Sequence, residues 1–499
     1  MARILAIDAG TTGVTALVLD DLGSVLAKGY HEFPQSFPQP GWVEHDPDHW
    51  WDALVASSGD ALLASATEPS DLTAIGITNQ RETTVLWDRQ SLRPVHPAIV
   101  WQDRRTADLC ESLRNEGWEE RVRERTGLLV DPYFSGTKLA WLLDHVDGAR
   151  EEAERGRLAF GTVDAYVLAR LTAGRVHATD RTNASRTMLY DIDRLGWDGE
   201  ILERLRIPPA VLPDVRASAG RFGVTTPAEF LGVAVPISGM AGDQQAALFG
   251  QACFEPGQTK NTYGTGSFVL MNTGHRRARS NSGLITTMAC EAGEEPVYAL
   301  EGSIFVTGAA IQWLRDGLNV IGEAAEAGPL AASVSDAGGV YFVPALTGLG
   351  APWWDPYARG TIVGLTRGTT RAHLVRAAVE AMAYQTMDVV AAMQADAELP
   401  MAVLKADGGA SAMDVLLQFQ ADLLGVPVAR SMVQETTALG AGYLAGLAEG
   451  VWPDQEAIAK YWRADRTFEP GGSDALKAGY RGWRRAVERS LKWASPEQS

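Results

Sequence analysis

The chemistry-bearing residues fall into three clusters. The first is Gly242-Asp243-Gln244-Gln245, one carboxylate followed by two amides. Small residues from Ser238 to Ala241 precede it and an apolar run of helical character follows. Small residues let a substrate approach the backbone, and a lone acid there is placed to accept a proton from it. The competing reading makes Asp243 a helix cap or a complement to the helix dipole, the commoner role for such an acid. The second cluster is Thr78-Asn79-Gln80-Arg81-Glu82-Thr83-Thr84, a polar run between two apolar strands. Buried, such a run is costly unless it faces a ligand, and Arg81 beside Glu82 offers donors and acceptors to a polyhydroxy compound. A solvated surface hairpin is the alternative.

The third cluster is a set of short glycine turns. These are Asp8-Ala9-Gly10-Thr11-Thr12-Gly13, Thr262-Tyr263-Gly264-Thr265-Gly266 and Asp407-Gly408-Gly409. Such turns expose N–H groups able to hold phosphates, here without a Walker-type Gly-Lys pair. Trp101 and Tyr133 either wall a pocket or are plain core.

The elements that must position these groups alternate between strands and helices. Arg3 to Asp8, Val14 to Leu19 and Val25 to Phe33 read as three strands in succession. Asp46-Pro47, a capping acid before a proline, opens a helix running to about Ala64. His45 and His49 flank that cap, so they do not share a helical face and make a poor metal pair. Leu72 to Ile77 and Gly232 to Ile237 read as further strands, and Leu139 to Leu143 as helix. The Glu- and Arg-rich stretch 146–158 reads as an exposed helix face, and His275 to Arg279 as a solvated basic loop. Glu435 to Gly442 opens a small-residue helix packed on a neighbour. Trp483, Val487 and Leu491 mark a basic amphipathic helix docked on the protein. The turns at Asp8-Ala9-Gly10 and Asp407-Gly408-Gly409 resemble each other and point to an internal duplication.

Composition bounds the function. The chain has 499 residues, enough for two or three domains, with 62 acidic against 44 basic side chains and a formal charge of −18. That charge disfavours nucleic acid or an anionic membrane as the main partner, but not a nucleotide held by backbone N–H groups and a metal ion. Cys110, Cys253 and Cys290 are an odd number without CxxC spacing, which favours reduced thiols and a cytoplasmic setting. An acid at Asp8 comes too early for a signal peptide, and membrane insertion is not expected.

Several longer segments resemble the FGGY carbohydrate kinases, over nearly the full length. They are Pro40 to Pro47, Gly76 to Thr83, Asp131 to Lys138, Thr182 to Met188, Gly242 to Gln245, Asn261 to Gly266 and Gly348 to Pro352. The resemblance implies an α/β protein of two RNase H/actin-like ATPase domains flanking a central catalytic cleft. Residues 1–249 would bind the polyol and carry the phosphate loop and catalytic acid, and residues 250–499 would bind the nucleotide. The implied activity is ATP-dependent phosphorylation of glycerol to sn-glycerol 3-phosphate, with Mg²⁺ as cofactor. It implies Asp243 as general base, and Arg81, Glu82, Tyr133, Asp243 and Gln244 on the glycerol hydroxyls between Trp101 and Phe268. Thr11, Thr12 and Gly13 would hold phosphates, Asp8 would reach the metal through water, and Thr265, Gly308, Gln312, Gly409 and Met413 would line the nucleotide site. A dimer or tetramer is implied as well.

Two departures bear on nucleotide binding: Thr15 stands where the family carries an arginine, and Met413 where it carries an asparagine. A third bears on regulation. Some bacterial members are inhibited by fructose 1,6-bisphosphate through a Gly-Gly-Lys-Gly-Gly-Thr-Arg loop, and others carry a phosphorylatable histidine there. The stretch Thr225 to Val235 has one glycine and no Lys, Arg or His. An FGGY kinase for another small polyol or sugar is the alternative, although Arg81-Glu82 with Trp101 and Phe268 favours a short triol. An actin/chaperone-like ATPase, which needs no such constellation, is more remote.

Overall fold

The computed structural model describes residues 2–472 and 474–494. The chain divides into two compact units, each assembled from more than one segment. The first comprises Met1–Ala252, Thr286–Tyr298 and Glu435–Trp462; the second comprises Cys253–Ile285, Ala299–Gln434 and Arg463–Ser499. A division into 1–249 and 250–499 therefore leaves two segments of the first unit in the second half of the sequence.

The first unit is built on a six-stranded sheet. Its order is Ala219–Val224, Pro236–Gly242, Ala74–Asn79, Arg3–Ala9, Gly13–Asp20, Val25–Glu32. Arg3–Ala9 is antiparallel to Gly13–Asp20 and parallel to Ala74–Asn79, which is in turn parallel to Pro236–Gly242. Strands buried on both faces read as continuous apolar runs, as Ile4 to Ile7 do.

The second unit repeats this arrangement. Val297–Ile304, Ser267–Gly274, Thr259–Tyr263, Leu404–Asp407, Val428–Ser431 and Ala464–Phe468 are hydrogen-bonded in that order. Thr259–Tyr263 is antiparallel to Ser267–Gly274 and parallel to Leu404–Asp407. In both units an antiparallel strand closes the far edge: Ala219–Val224 in the first, Ala464–Phe468 in the second. The duplication is thus one of topology, but the matching turns differ from those expected. The turn after Asp8 follows the first strand of its unit, and its counterpart is Gly264-Thr265-Gly266. Asp407 ends a fourth strand, so its counterpart is the end of Ala74–Asn79.

Close backbone packing explains why a late helix belongs to the first unit. Helix Thr436–Ala448 lies against the sheet and against helix Asp243–Gly250. A Cβ on Gly76 would overlap the Ala441 carbonyl, and one on Gly440 the Ala246 carbonyl. The same contact shifts the strand before Asp243. A strand over Gly232 to Ile237 is expected, yet Gly232 sits in a turn at φ 74° and the strand is Pro236–Gly242. Its small residues are strand because the helix approaches so closely: a Cβ on Gly239 would lie 2.5 Å from the Ala445 nitrogen.

Other elements follow local chemistry. Asp46 accepts a hydrogen bond from the Asp48 N–H, with Pro47 in the first turn of helix Pro47–Ala64. The helix expected at Leu139 begins at Ser135. Buried Lys138 makes the earlier start possible, donating to the carbonyls of Pro132, Tyr133 and Phe134. Helix Asp474–Ser490 buries Trp483 and Val487, and the Trp483 indole N–H donates to Asp388. Among the described residues no helix is long and apolar enough to cross a membrane.

Candidate active site

The polar run Thr78 to Thr84 is not a surface hairpin: every residue in it is at most 2% exposed. Its first two residues end a strand, and Arg81 then turns the chain at φ 41°. A non-glycine residue in that region is strained and persists only where its surroundings hold it. Three acceptors surround Arg81. Nη2 donates to the Tyr133 hydroxyl at 2.9 Å, and Nε lies 3.0 Å from Asp243 Oδ1 and 3.6 Å from Glu82 Oε1. Gly242 makes room for this, since a Cβ there would lie 2.7 Å from Arg81 Cγ.

Asp243 opens helix Asp243–Gly250, and its Oδ1 also accepts the Gln244 N–H at 2.7 Å. The N-cap is Gly242 and no side chain caps this helix, so Asp243 complements the helix dipole from the first turn instead of capping it, and its side chain stays 29% exposed. Trp101 meets Tyr133 edge to face at 5.7 Å and donates its indole N–H to the Thr11 hydroxyl at 3.0 Å. The residues expected on the substrate side and the first glycine turn thus form one hydrogen-bonded group. Gln80 ties them further, donating to the carbonyls of Ala9 and Gly10.

In that turn the Gly10 N–H donates to the Gly13 carbonyl, Thr11 is half-buried and Thr12 exposed. Asp8 Oδ1 is buried without a hydrogen-bond partner. Burial, and next the negative charge of Asp243, push the Asp8 carboxyl up to about 7, with Lys28 opposing. A buried carboxylate oxygen lacking a donor fits a cation or a cation's water. Thr15, opposite Asp8 in the strand ladder, brings no positive charge to it.

The remaining expected residues lie in the second unit. Thr265, Gly308, Gln312, Gly409 and Met413 all line one cavity of about 850 Å³. Its floor is the turn after Thr259–Tyr263, where the Gly308 N–H donates to the Gly264 carbonyl. Gly408, at φ 85°, passes so near Tyr263 that a Cβ would lie 2.5 Å from its carbonyl oxygen. Most of the wall is small and apolar: Ala324, Ala325, Gly328, Pro329, Ala410 and Ala412. Met413 offers a thioether where an amide would hydrogen-bond, and Asp414 is held by Arg430 and Arg466. Phe268 lies on strand Ser267–Gly274 and is not part of this wall.

Behind the first-unit cluster lie residues to which the sequence alone assigns no role. Arg186 is fully buried and its Nε donates to Glu82 Oε1 at 2.7 Å. Gln245 donates to the Thr287 hydroxyl at 3.1 Å, and the Thr182 hydroxyl accepts the Gly242 N–H at 2.8 Å. The available signal is the segment Thr182 to Met188, one of those that carry the family resemblance, preceded by the capping acid Asp180.

Two units of repeated sheet topology, with glycine turns after their first strands, define a two-domain protein of the actin-like ATPase fold. Residues 3–250 match the FGGY family of carbohydrate kinases, N-terminal domain, and residues 259–449 its C-terminal domain. The chain belongs to the FGGY family of carbohydrate kinases. It is 56% identical over 494 residues to glycerol kinase 2 of Thermotoga maritima, covering 99% of each chain. It is 55% identical over 492 residues to a glycerol kinase of Caldanaerobacter subterraneus, covering 98% of this chain and 99% of that one. The crystal structure of Plasmodium falciparum glycerol kinase with ADP superposes with a TM-score of 0.92 at 34% identity, over 98% of both chains. A xylulose kinase from Lactobacillus acidophilus shares the fold, with a TM-score of 0.86 at 22% identity and 98% of both chains covered.

Proposed function

We propose that this protein transfers the γ-phosphoryl group of ATP to glycerol, giving sn-glycerol 3-phosphate and ADP. The observation that carries the reading is the buried polar run Thr78 to Thr84, which brings Arg81 and Glu82 together with Tyr133 and Asp243. A run of polar side chains withdrawn from water needs polar partners, and beyond those the protein supplies this one offers paired donors and acceptors to vicinal hydroxyls.

In this reading Arg81, Glu82, Tyr133 and Gln244 hold glycerol, with Trp101 as an apolar wall. An alcohol is far too weak an acid to ionise unaided near neutral pH. Asp243 accepts the hydroxyl proton as the oxygen bonds to the γ-phosphorus and the bond to the ADP oxygen breaks. Thr11, Thr12 and Gly13 hold the phosphates, while Thr265, Gly308, Gln312, Gly409 and Met413 hold the rest of the nucleotide. Alignment and charge neutralisation supply most of the remaining catalysis. Asp8, whose buried Oδ1 has no hydrogen-bond partner, would hold Mg²⁺ through water, and the ion when bound would neutralise phosphate charge. A homo-oligomer in the cytoplasm completes the reading.

ADP release measured across glycerol, dihydroxyacetone, erythritol and xylulose tests it. The highest kcat/KM is expected with glycerol. A higher value with xylulose or erythritol would move the assignment to a longer polyol, and ADP release independent of any polyol would move it to an ATPase.

A further inference from the structure

Asp180 is fully buried and works as a hydrogen-bond hub. Its Oδ1 accepts the Asn183 backbone and side-chain N–H groups, and its Oδ2 accepts the Thr182 N–H and the hydroxyls of Thr182 and Ser218. Because the Thr182 hydroxyl donates to Asp180 at 2.7 Å, its lone pair is turned the other way. That lone pair accepts the Gly242 N–H at 2.8 Å, immediately before Asp243. The hydroxyl therefore has one role towards Asp180 and the opposite role towards Gly242, and the carboxylate selects the arrangement.

Four residues on, the same segment reaches the other side of the cluster. Arg186 Nε donates to Glu82 Oε1 at 2.7 Å, and the guanidinium lies 5.6 Å from the Tyr133 ring centroid and 5.4 Å from that of Phe134. Between these ends, Ser185 bonds the Thr287 hydroxyl that also accepts from Gln245. A single short segment thus touches the backbone beneath one carboxylate and the side chain of another.

We propose that the segment Asp180 to Arg186 positions the two halves of the reaction separately: Thr182 sets the placement of Asp243, and Arg186 sets the orientation of Glu82. Neither need touch glycerol, so both are positioning residues. The inference rests on the proposed function, in which Asp243 takes the proton and Glu82 binds a hydroxyl. A small displacement of a base acts on the chemical step, whereas a misoriented binding carboxylate acts on substrate affinity. The two ends therefore differ in which kinetic constant they control.

The test is steady-state kinetics of the full chain with glycerol and ATP, with thermal melting as a check on folding. Thr182→Val, which keeps shape and removes the hydroxyl, should lower kcat by roughly 10²-fold with glycerol KM nearly unchanged. Thr182→Ser should restore most of kcat, and Thr182→Cys should fall between. Arg186→Lys, which keeps charge and loses the fork, should raise glycerol KM by about tenfold or more with the smaller effect on kcat. If Thr182→Val fails to fold, the Ser and Cys variants carry the same comparison. Equal changes in kcat and KM at both positions, or no change at either, would overturn the inference. No glycerol-dependent ADP release by the wild type would instead overturn the functional reading beneath it.

Discussion

Arg81 Nε stands 3.0 Å from Asp243 Oδ1, and the geometry that brings them together is strained at one end and opened at the other. Arg81 holds φ at 41°, and Gly242 leaves out the side chain that would block Arg81 Cγ. Backbone strain costs on the order of 1–3 kcal/mol, so a chain keeps it where the resulting placement matters. Here the placement fixes the carboxylate assigned as base against a guanidinium whose other nitrogen serves the Tyr133 hydroxyl. One side chain thus orders both the carboxylate proposed as base and the hydroxyl proposed to bind the polyol.

The helix Thr436–Ala448 holds the strand and helix on either side of Asp243 through backbone-to-backbone packing. Gly440→Ala drives a methyl group into the Ala246 carbonyl, whose own helix begins at Asp243. Overpacking of this kind costs about 1–3 kcal/mol, and backbone cannot swing aside as a flexible side chain would. The variant should melt several degrees below the wild type by calorimetry. An unchanged melting temperature would show that the helix can shift without cost.

Asp164 provides a pH dependence of stability. It is fully buried, accepts the hydroxyls of Thr162 and Thr179, and burial pushes its carboxyl up from 3.8 to about 7. Between those values the folded chain retains a proton that the unfolded chain has lost. Stability from this group therefore falls as pH rises from about 4 to about 7 and is flat above. Asp164→Asn, which does not titrate, should remove that decline, seen as the difference between the two proteins' denaturation midpoints across the window. Parallel midpoint curves would contradict it.

Thr15 faces Asp8 across the strand ladder, at the position where the resemblance to the family leads one to expect an arginine. Thr15→Arg places a cation beside the phosphate turn and should lower KM for ATP while leaving KM for glycerol as it was. An unchanged KM for ATP would mean that another cation, or the backbone alone, already serves the phosphates.

The stretch Thr225 to Val235 is closed on itself rather than open to an anion. Thr225 bonds Val233 and Val235, Glu229 is exposed, and Arg175 donates to the Thr226 hydroxyl and the Val224 carbonyl. A bisphosphate needs cations or clustered free N–H groups. Activity titrated with fructose 1,6-bisphosphate should stay flat, and a saturable loss would contradict this.

Local signals were legible where one residue's chemistry sufficed. Asp46-Pro47 opens its helix, Trp483 and Val487 mark the buried face of the last one, and the small residues from Thr436 mark a close-packed helix. Long-range partners were not legible. Nothing near Thr436 says that it packs on a sheet begun at Arg3, so the sequence order of the halves misplaces that helix. The strand before Asp243 was misplaced for the same reason: its glycines look like a loop until the helix behind them is known. In the site, Arg81 and Glu82 stand out in a polar run between apolar strands, and Asp243 as a lone acid after small residues. Thr182 and Arg186 do not, because what they do depends on Gly242 and Glu82, which only folding brings within reach.

The most direct test of the account is the turnover of Asp243→Asn, measured as glycerol-dependent ADP release beside the wild type. The substitution keeps the shape of the side chain and its contact with the Gln244 N–H, and removes the proton acceptor. Loss of a general base costs about 10²–10⁴-fold, so kcat should fall by that order while the melting temperature holds. A variant that folds normally and keeps more than about half of the wild-type kcat would show that Asp243 is not the base.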